Sequence, residues 1–107
     1  MGNYVKQVEV DYMSTEISSE KKVEKDNANR IAIAGIIVHN REEAAVKVNR
    51  ILSDYGNIIV GRMGIPYKEK GISIISIIID GTNDQIGALT GKLGKINGIK
   101  VKVNMLV

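Results

Sequence analysis

Residues 31–43 read IAIAGIIVHNREE, and this one stretch decides the fold. The first eight residues carry no charge and are dominated by isoleucine, the pattern of a buried β-strand. Asn40-Arg41-Glu42-Glu43 then has capping-box form, with the Asn40 side chain placed to accept from the backbone and Glu43 placed to reach back. A strand runs straight into a helix. Beyond it, Ala44, Ala45, Val48, Ile51, Leu52 and Tyr55 keep helical spacing, and Gly56 is expected to stop the helix in the left-handed conformation.

The same grammar repeats toward the C-terminus. Ile58–Met63 reads as a second strand, Gly64–Lys70 with Pro66 as a loop, and Ile72–Ile79 as a third strand. Thr82 to Gln85 forms another capping box, opening a helix through Ile86, Leu89, Leu93 and Ile96 that Gly98 ends. Ile99–Val107 alternates as the last strand. The order is β-α-β-β-α-β, and two right-handed crossovers in one sheet produce the split, ferredoxin-like arrangement. The first and third strands, almost continuously apolar, belong in the middle. An α+β fold follows, with a four-stranded antiparallel sheet of order 4-1-3-2 and two helices on one face.

Composition agrees. The 107 residues include 18 Ile and 11 Val against 4 Leu, with no Phe and no Trp, a β-branched excess suited to a sheet-built core. Residues 1–29 hold 4 basic and 6 acidic side chains, and residues 30–107 hold 11 basic and 6 acidic. The first segment is read as a flexible polar leader, with Val8, Val10 and Tyr12 alternating for one short possible strand, and 30–107 as the domain. Nothing approaches the length of a membrane span and no signal peptide opens the chain, so a cytoplasmic protein is expected.

Chemistry is limited by what is missing. Zero cysteine removes disulfides, thiolate metal sites and a thiol nucleophile, and the single histidine, His39, leaves too few ligands for a metal. No cofactor and no metal are expected. There is no nucleophile elbow, and acids at both helix starts (Glu42, Glu43, Asp80, Asp84) repel a phosphate, so no enzyme is expected. The central strands lack aromatics for stacking bases and no reading helix is present, which argues against sequence-specific nucleic-acid binding by this chain alone.

Two features ask for a partner. On the first strand Ile31, Ile33 and Ile37 alternate with Ala32, Ala34, Ile36 and Val38; on the third, Ile72, Ile74 and Ile78 alternate with Ile75, Ile77 and Ile79. Two helices cover one face only. The uncovered face would have an apolar centre and a polar rim at Lys100, Lys102 and Asn104, the anatomy of an interface. A homo-oligomer, dimer or tetramer, is expected, with Ala32, Ala34, Ile36, Val38, Ile75 and Ile77 assigned to the contact. The leader has too few apolar residues to be the better cover. Gly87, Gly91 and Gly94 cluster off the apolar stripe of the second helix and are also assigned to a subunit contact, a flat glycine surface letting another backbone or a ligand come close, the alternative being neutral drift on a surface that packing stabilises.

The segment 61–71 combines glycines with Arg62, Tyr67 and Lys68 beside the turn at His39 and Asn40. Gly61 and Gly64 allow close approach, and Arg62 offers a forked donor for carboxylate or phosphate. This hairpin, with Gly61, Arg62, Gly64, Tyr67 and Lys68, is read as wrapping a small anionic ligand or as covering a neighbouring subunit.

The stretch from Arg30 to Val107 resembles a known small family, the iron-only hydrogenase system regulators, related to ACT domains and to the C-terminal domain of the nickel-responsive repressor. The resemblance is carried by IAIAGIIVHNRE at 31–42, by the run from Val48 to Val103, and above all by GRMGIPY at 61–67. It implies an oligomeric, ligand-sensing module acting in transcriptional regulation linked to hydrogen metabolism, with the effector held at the end of the first strand and the turn into the first helix, here His39 and Asn40, beside the 61–71 hairpin. The repressor's histidine and cysteine ligands have no counterpart, so nickel sensing does not carry over. A structural protein–protein adaptor that binds a partner protein and no ligand is the alternative reading.

Overall fold

The computed structural model describes residues 9–12 (as backbone), 28–39 and 42–107. Five strands, β1 (Glu9–Tyr12), β2 (Arg30–His39), β3 (Ile59–Tyr67), β4 (Ile72–Gly81) and β5 (Ile99–Met105), accompany two helices, α1 (Glu42–Asp54) and α2 (Asn83–Gly94). The strands form one antiparallel sheet in the order β1-β3-β4-β2-β5. Its four-stranded part, β3-β4-β2-β5, has the expected α+β topology. The addition is β1, which lies within the leader and pairs along the outer edge of β3, Glu9 opposite Gly64 and Tyr12 opposite Gly61.

β2 and β4 make the spine, in register from Arg30 opposite Gly81 to His39 opposite Ile72. Alternation then sorts their side chains. Ala32, Ala34, Ile36 and Val38 from β2 and Ile75, Ile77 and Ile79 from β4 are buried with Ala44, Val48 and Leu52 of α1 and Ile86, Leu89 and Leu93 of α2. At about 1.5–3 kcal/mol for each fully buried large aliphatic side chain, this layer supplies the main folding free energy.

That arrangement corrects the assignment of the oligomer contact. Ala32, Ala34, Ile36, Val38, Ile75 and Ile77 lie beneath the helices and cannot touch another subunit. The physical reason is the size of the β2 side chains: alanines at 32 and 34 let the helices approach the sheet, whereas Ile33 on the other side holds no neighbour away. The helix-free face carries Ile33, Ile78 and Met63, which are 38%, 42% and 39% exposed. Lys100, Lys102 and Asn104 of β5 stand opposite Ile37, Gly35 and Ile33 and form its rim.

Three boundaries differ from the expectation. β3 runs on through Pro66 to Tyr67, so the hairpin turn is only Lys68–Lys70 and Gly71, not a long loop from Gly64. The described pairing of β1 with β3 spans Gly61 to Gly64, so Pro66 lies past the described part of β1 on that edge of β3. Gly56 does not adopt a positive φ; it opens a 3-10 turn over Gly56–Ile58, and among the described residues the positive φ values fall on Gly71 and Gly98. α2 stops at Gly94, and Ile96 packs on the core from the turn that follows.

The Thr82–Gln85 capping box is present in both directions, Gln85 N donating to Thr82 Oγ1 at 3.1 Å and Thr82 N donating to Gln85 Oε1 at 2.9 Å. The corresponding expectation for Asn40 falls outside the described residues.

Candidate functional site

The helices lie over the middle of the sheet, and α1 does not fill the space above β3. A glycine is the local cause. A Cβ built on Gly64 would stand 3.9 Å from Ile75 Cγ1, so the side chain absent at 64 would have covered that part of the core. The result is a cleft of about 210 Å³ between α1 and β3. Ala45, Val48 and Asn49 of α1 form one wall, and Arg62, Gly64, Ile65 and Pro66 of β3 the other. Val38, Ser73 and Ile75 line it from β2 and β4.

One polar bridge crosses it: Arg62 Nη2 donates to Asn49 Oδ1 at 3.0 Å, joining β3 to α1. Arg62 is half-buried, and its Cα stands opposite Asp11 in the β1–β3 register. The lining otherwise contains the neutral polar Ser73 and apolar groups, and none of the lining residues is acidic. A concave, mostly apolar site with a few placed polar groups is the usual form of a small-molecule pocket, and this one is smaller than the usual range of about 300–1,000 Å³.

The seven expected site residues are divided by this geometry. Arg62 and Gly64 line the cleft. Gly61 pairs with Ile78 on the register row that carries the open face. His39 and Tyr67 both stand opposite Ile72, so they lie on one row across that face and not around the cleft. The His39 backbone N–H donates to Gly98 at 3.1 Å, and Lys70 Nζ sits 5.8 Å from the centre of the Tyr67 ring. Lys68 is exposed in the turn, and Asn40 falls outside the described residues. Gly87, Gly91 and Gly94 are exposed on α2, where an added Cβ would meet nothing within 4 Å.

Sequence reasoning missed Asn49, Ser73 and Ala45. The available signal was the short polar residue Asn49 next to a core position, Val48, thirteen residues before the one arginine of β3. Among the described residues no group of three or more His, Cys, Asp or Glu could hold a metal ion. No described helix is long and apolar enough to cross a membrane.

Comparisons with known proteins agree with this architecture. Residues 30–103 match the TM1266-like family model, described as "Iron-only hydrogenase system regulator, putative". The solved structure of the uncharacterized protein TM1266 from Thermotoga maritima is 40% identical, with a TM-score of 0.73 over 74% of this chain and 99% of that one. The ACT domain from the GTP pyrophosphokinase of Chlorobium tepidum is similar in fold, at 21% identity and a TM-score of 0.56, over 74% of this chain and 100% of that one. No curated protein matches the chain. The matched residues 30–103 take in β2, β3, β4, both helices, most of β5 and every residue lining the cleft, and this chain belongs to the TM1266-like family of iron-only hydrogenase system regulators.

Proposed function

We propose that this protein is a non-catalytic regulatory oligomer that senses a small anionic molecule in the cleft between α1 and β3. The observation that carries the reading is Arg62, a half-buried arginine held by Asn49 at the mouth of a mostly apolar cleft. A guanidinium in such surroundings recognises carboxylate or phosphate through a forked, charge-assisted contact. The described helices and strands contain no reading head for DNA, so regulation passes through contacts with a partner protein. Self-association uses the helix-free face, where Ile33, Ile78 and Met63 are exposed. A second copy presents the same apolar centre, whereas residues 13–27 supply only Met13, Ile17 and Val23 among many charges.

The test is a thermal melt of the native protein against a panel of small acids and phosphates, repeated with Arg62→Ala. A specific ligand stabilises in proportion to RT ln(1 + [L]/Kd), so a melting shift present in the native protein and absent from the variant supports sensing. If nothing shifts the native protein and Arg62→Ala dissociates the oligomer, the chain is an adaptor.

A further inference from the structure

We infer that the outer edge of β5 is a docking site for an extended acidic segment of a partner protein, which joins the sheet as a further strand with its carboxylates opposite Lys100 and Lys102. This rests on the partner-protein route of regulation proposed above and not on the cleft.

The backbone defines the edge. β5 ends the sheet, and it pairs with β2 in unbroken register from Ala32 opposite Met105 to Val38 opposite Ile99. His39 N donates to Gly98 O at 3.1 Å and Leu106 N donates to Ile31 O at 2.8 Å, so the opposed pairs at the two ends of this ladder are hydrogen-bonded ones. Hydrogen-bonded and non-hydrogen-bonded pairs alternate along an antiparallel ladder. Lys100, Lys102 and Asn104 therefore bond inward to β2, and Val101, Val103 and Met105 turn their N–H and C=O groups outward. The opposite side of the sheet is better guarded. There β1 covers Gly61 to Gly64 of β3, the pairing of β3 with β4 is irregular between Ile59 and Gly61, and Pro66 has no N–H. β5 contains no proline and no register shift, and of the usual devices against strand addition it has its lysines.

Side chains select the partner. Lys100 and Lys102 are exposed on the helix-free face, and the residues of β2, β4 and β3 in their register rows include no acid. In the added ladder the residues opposite these lysines form non-hydrogen-bonded pairs, in which side chains stand closest. A carboxylate is favoured there and a second cation is disfavoured. On the helix-covered face Val103 and Met105 are 37% and 36% exposed, so aliphatic side chains of an added strand continue a hydrophobic surface that α2 covers only in part. The matching segment alternates Asp or Glu with aliphatic residues, its main chain supplying affinity and its alternate side chains specificity. A second β5 fits less well, because in full antiparallel overlap Lys102 faces its own copy.

The experiment follows the fluorescence anisotropy of a labelled peptide alternating glutamate and valine, titrated with the full chain. Its comparators are the same peptide with lysine for glutamate, a version N-methylated at the valines (the residues that would donate to β5), and a duplex DNA oligonucleotide. The expected result is saturable binding of the acidic peptide, weakened about tenfold or more for the lysine and N-methylated peptides. Val103→Pro should abolish binding with little change in melting, since the Val103 N–H points away from β2. Lys100→Glu combined with Lys102→Glu should exchange the preference to the lysine peptide, and this decides the matter if Val103→Pro fails to fold. No binding of the acidic peptide, or equal binding of the N-methylated one, overturns strand addition. Tighter binding of the oligonucleotide, lost with the lysines but kept in Val103→Pro, overturns it in favour of a nucleic-acid contact. A native oligomer that dissociates in a folded Val103→Pro overturns it in favour of a second copy. The ligand melts with Arg62→Ala are independent of these outcomes, so failure here leaves the sensing role standing.

Discussion

Arg62 Nη2 and Asn49 Oδ1 meet at 3.0 Å across the space that Gly64 leaves open, so the link between β3 and α1 is a polar contact at the surface and not core packing. Such a bond adds little to the fold, because both groups regain water when it is broken. Its placement beside an apolar cleft is the basis of the recognition role proposed for it.

Arg62→Ala should cost no more than about 1 kcal/mol of stability, since only exposed or half-buried polar groups are lost. Asn49→Ala should be close to neutral, the lost hydrogen bond being offset by the better helix propensity of alanine. Urea unfolding of the two variants checks this. A loss of several kcal/mol for Arg62→Ala would make the residue structural and remove the reason for assigning it to a ligand.

The two faces of the sheet predict opposite consequences for the same substitution. Ile33→Lys or Ile78→Lys puts a charge on the helix-free face and should leave a folded chain with weakened self-association in sedimentation. Ile36→Lys or Ile77→Lys, both 0% exposed, buries that charge under the helices and should prevent folding. Native protein that sediments as a monomer at micromolar concentration, with Ile33→Lys indistinguishable from it, would refute the oligomer.

Two glycines should respond in opposite directions to alanine. Gly91→Ala on the exposed side of α2 adds a Cβ that meets nothing, and should raise stability by about 1 kcal/mol from helix propensity. Gly98→Ala, at φ 88°, forces an L-residue into left-handed backbone and should lower stability by roughly 1–2 kcal/mol. Thermal melts decide both. If Gly91→Ala instead weakens self-association, the glycine side of α2 is a subunit contact.

These contrasts show where the sequence was readable and where it was not. Strand and helix order followed from isoleucine runs broken by capping boxes, and Thr82 with Gln85 forms the box in full because both partners lie in one local turn. The assignment of faces failed because alternation in a nearly all-apolar strand defines two sides without saying which one meets the helices. The informative contrast was Ala32 and Ala34 against Ile33 and Ile37, small residues marking the side that α1 and α2 approach. Pro66 and nearby Gly64 imitated a loop, since whether a strand can run through proline depends on its pairing with β4 and its place in the sheet, a long-range fact. The cleft was half visible: Arg62 and Gly64 stand out locally, but Asn49 and Ser73 join them only through the docking of α1 and the β3–β4 pairing. Tyr67, close to them in the linear pattern, and His39 lie on the other face.

The most direct test of the central claim, that the cleft between α1 and β3 is the ligand site, is a heteronuclear NMR titration of the full chain with the small acids and phosphates of the thermal-melt panel. The account predicts saturating shifts of the Gly64 and Ser73 backbone amides and of the Asn49 side-chain amide, with Ile33 and Ile78 on the opposite face unmoved. Shifts confined to that opposite face, or none at Gly64, Ser73 and Asn49 at millimolar acid, would contradict it.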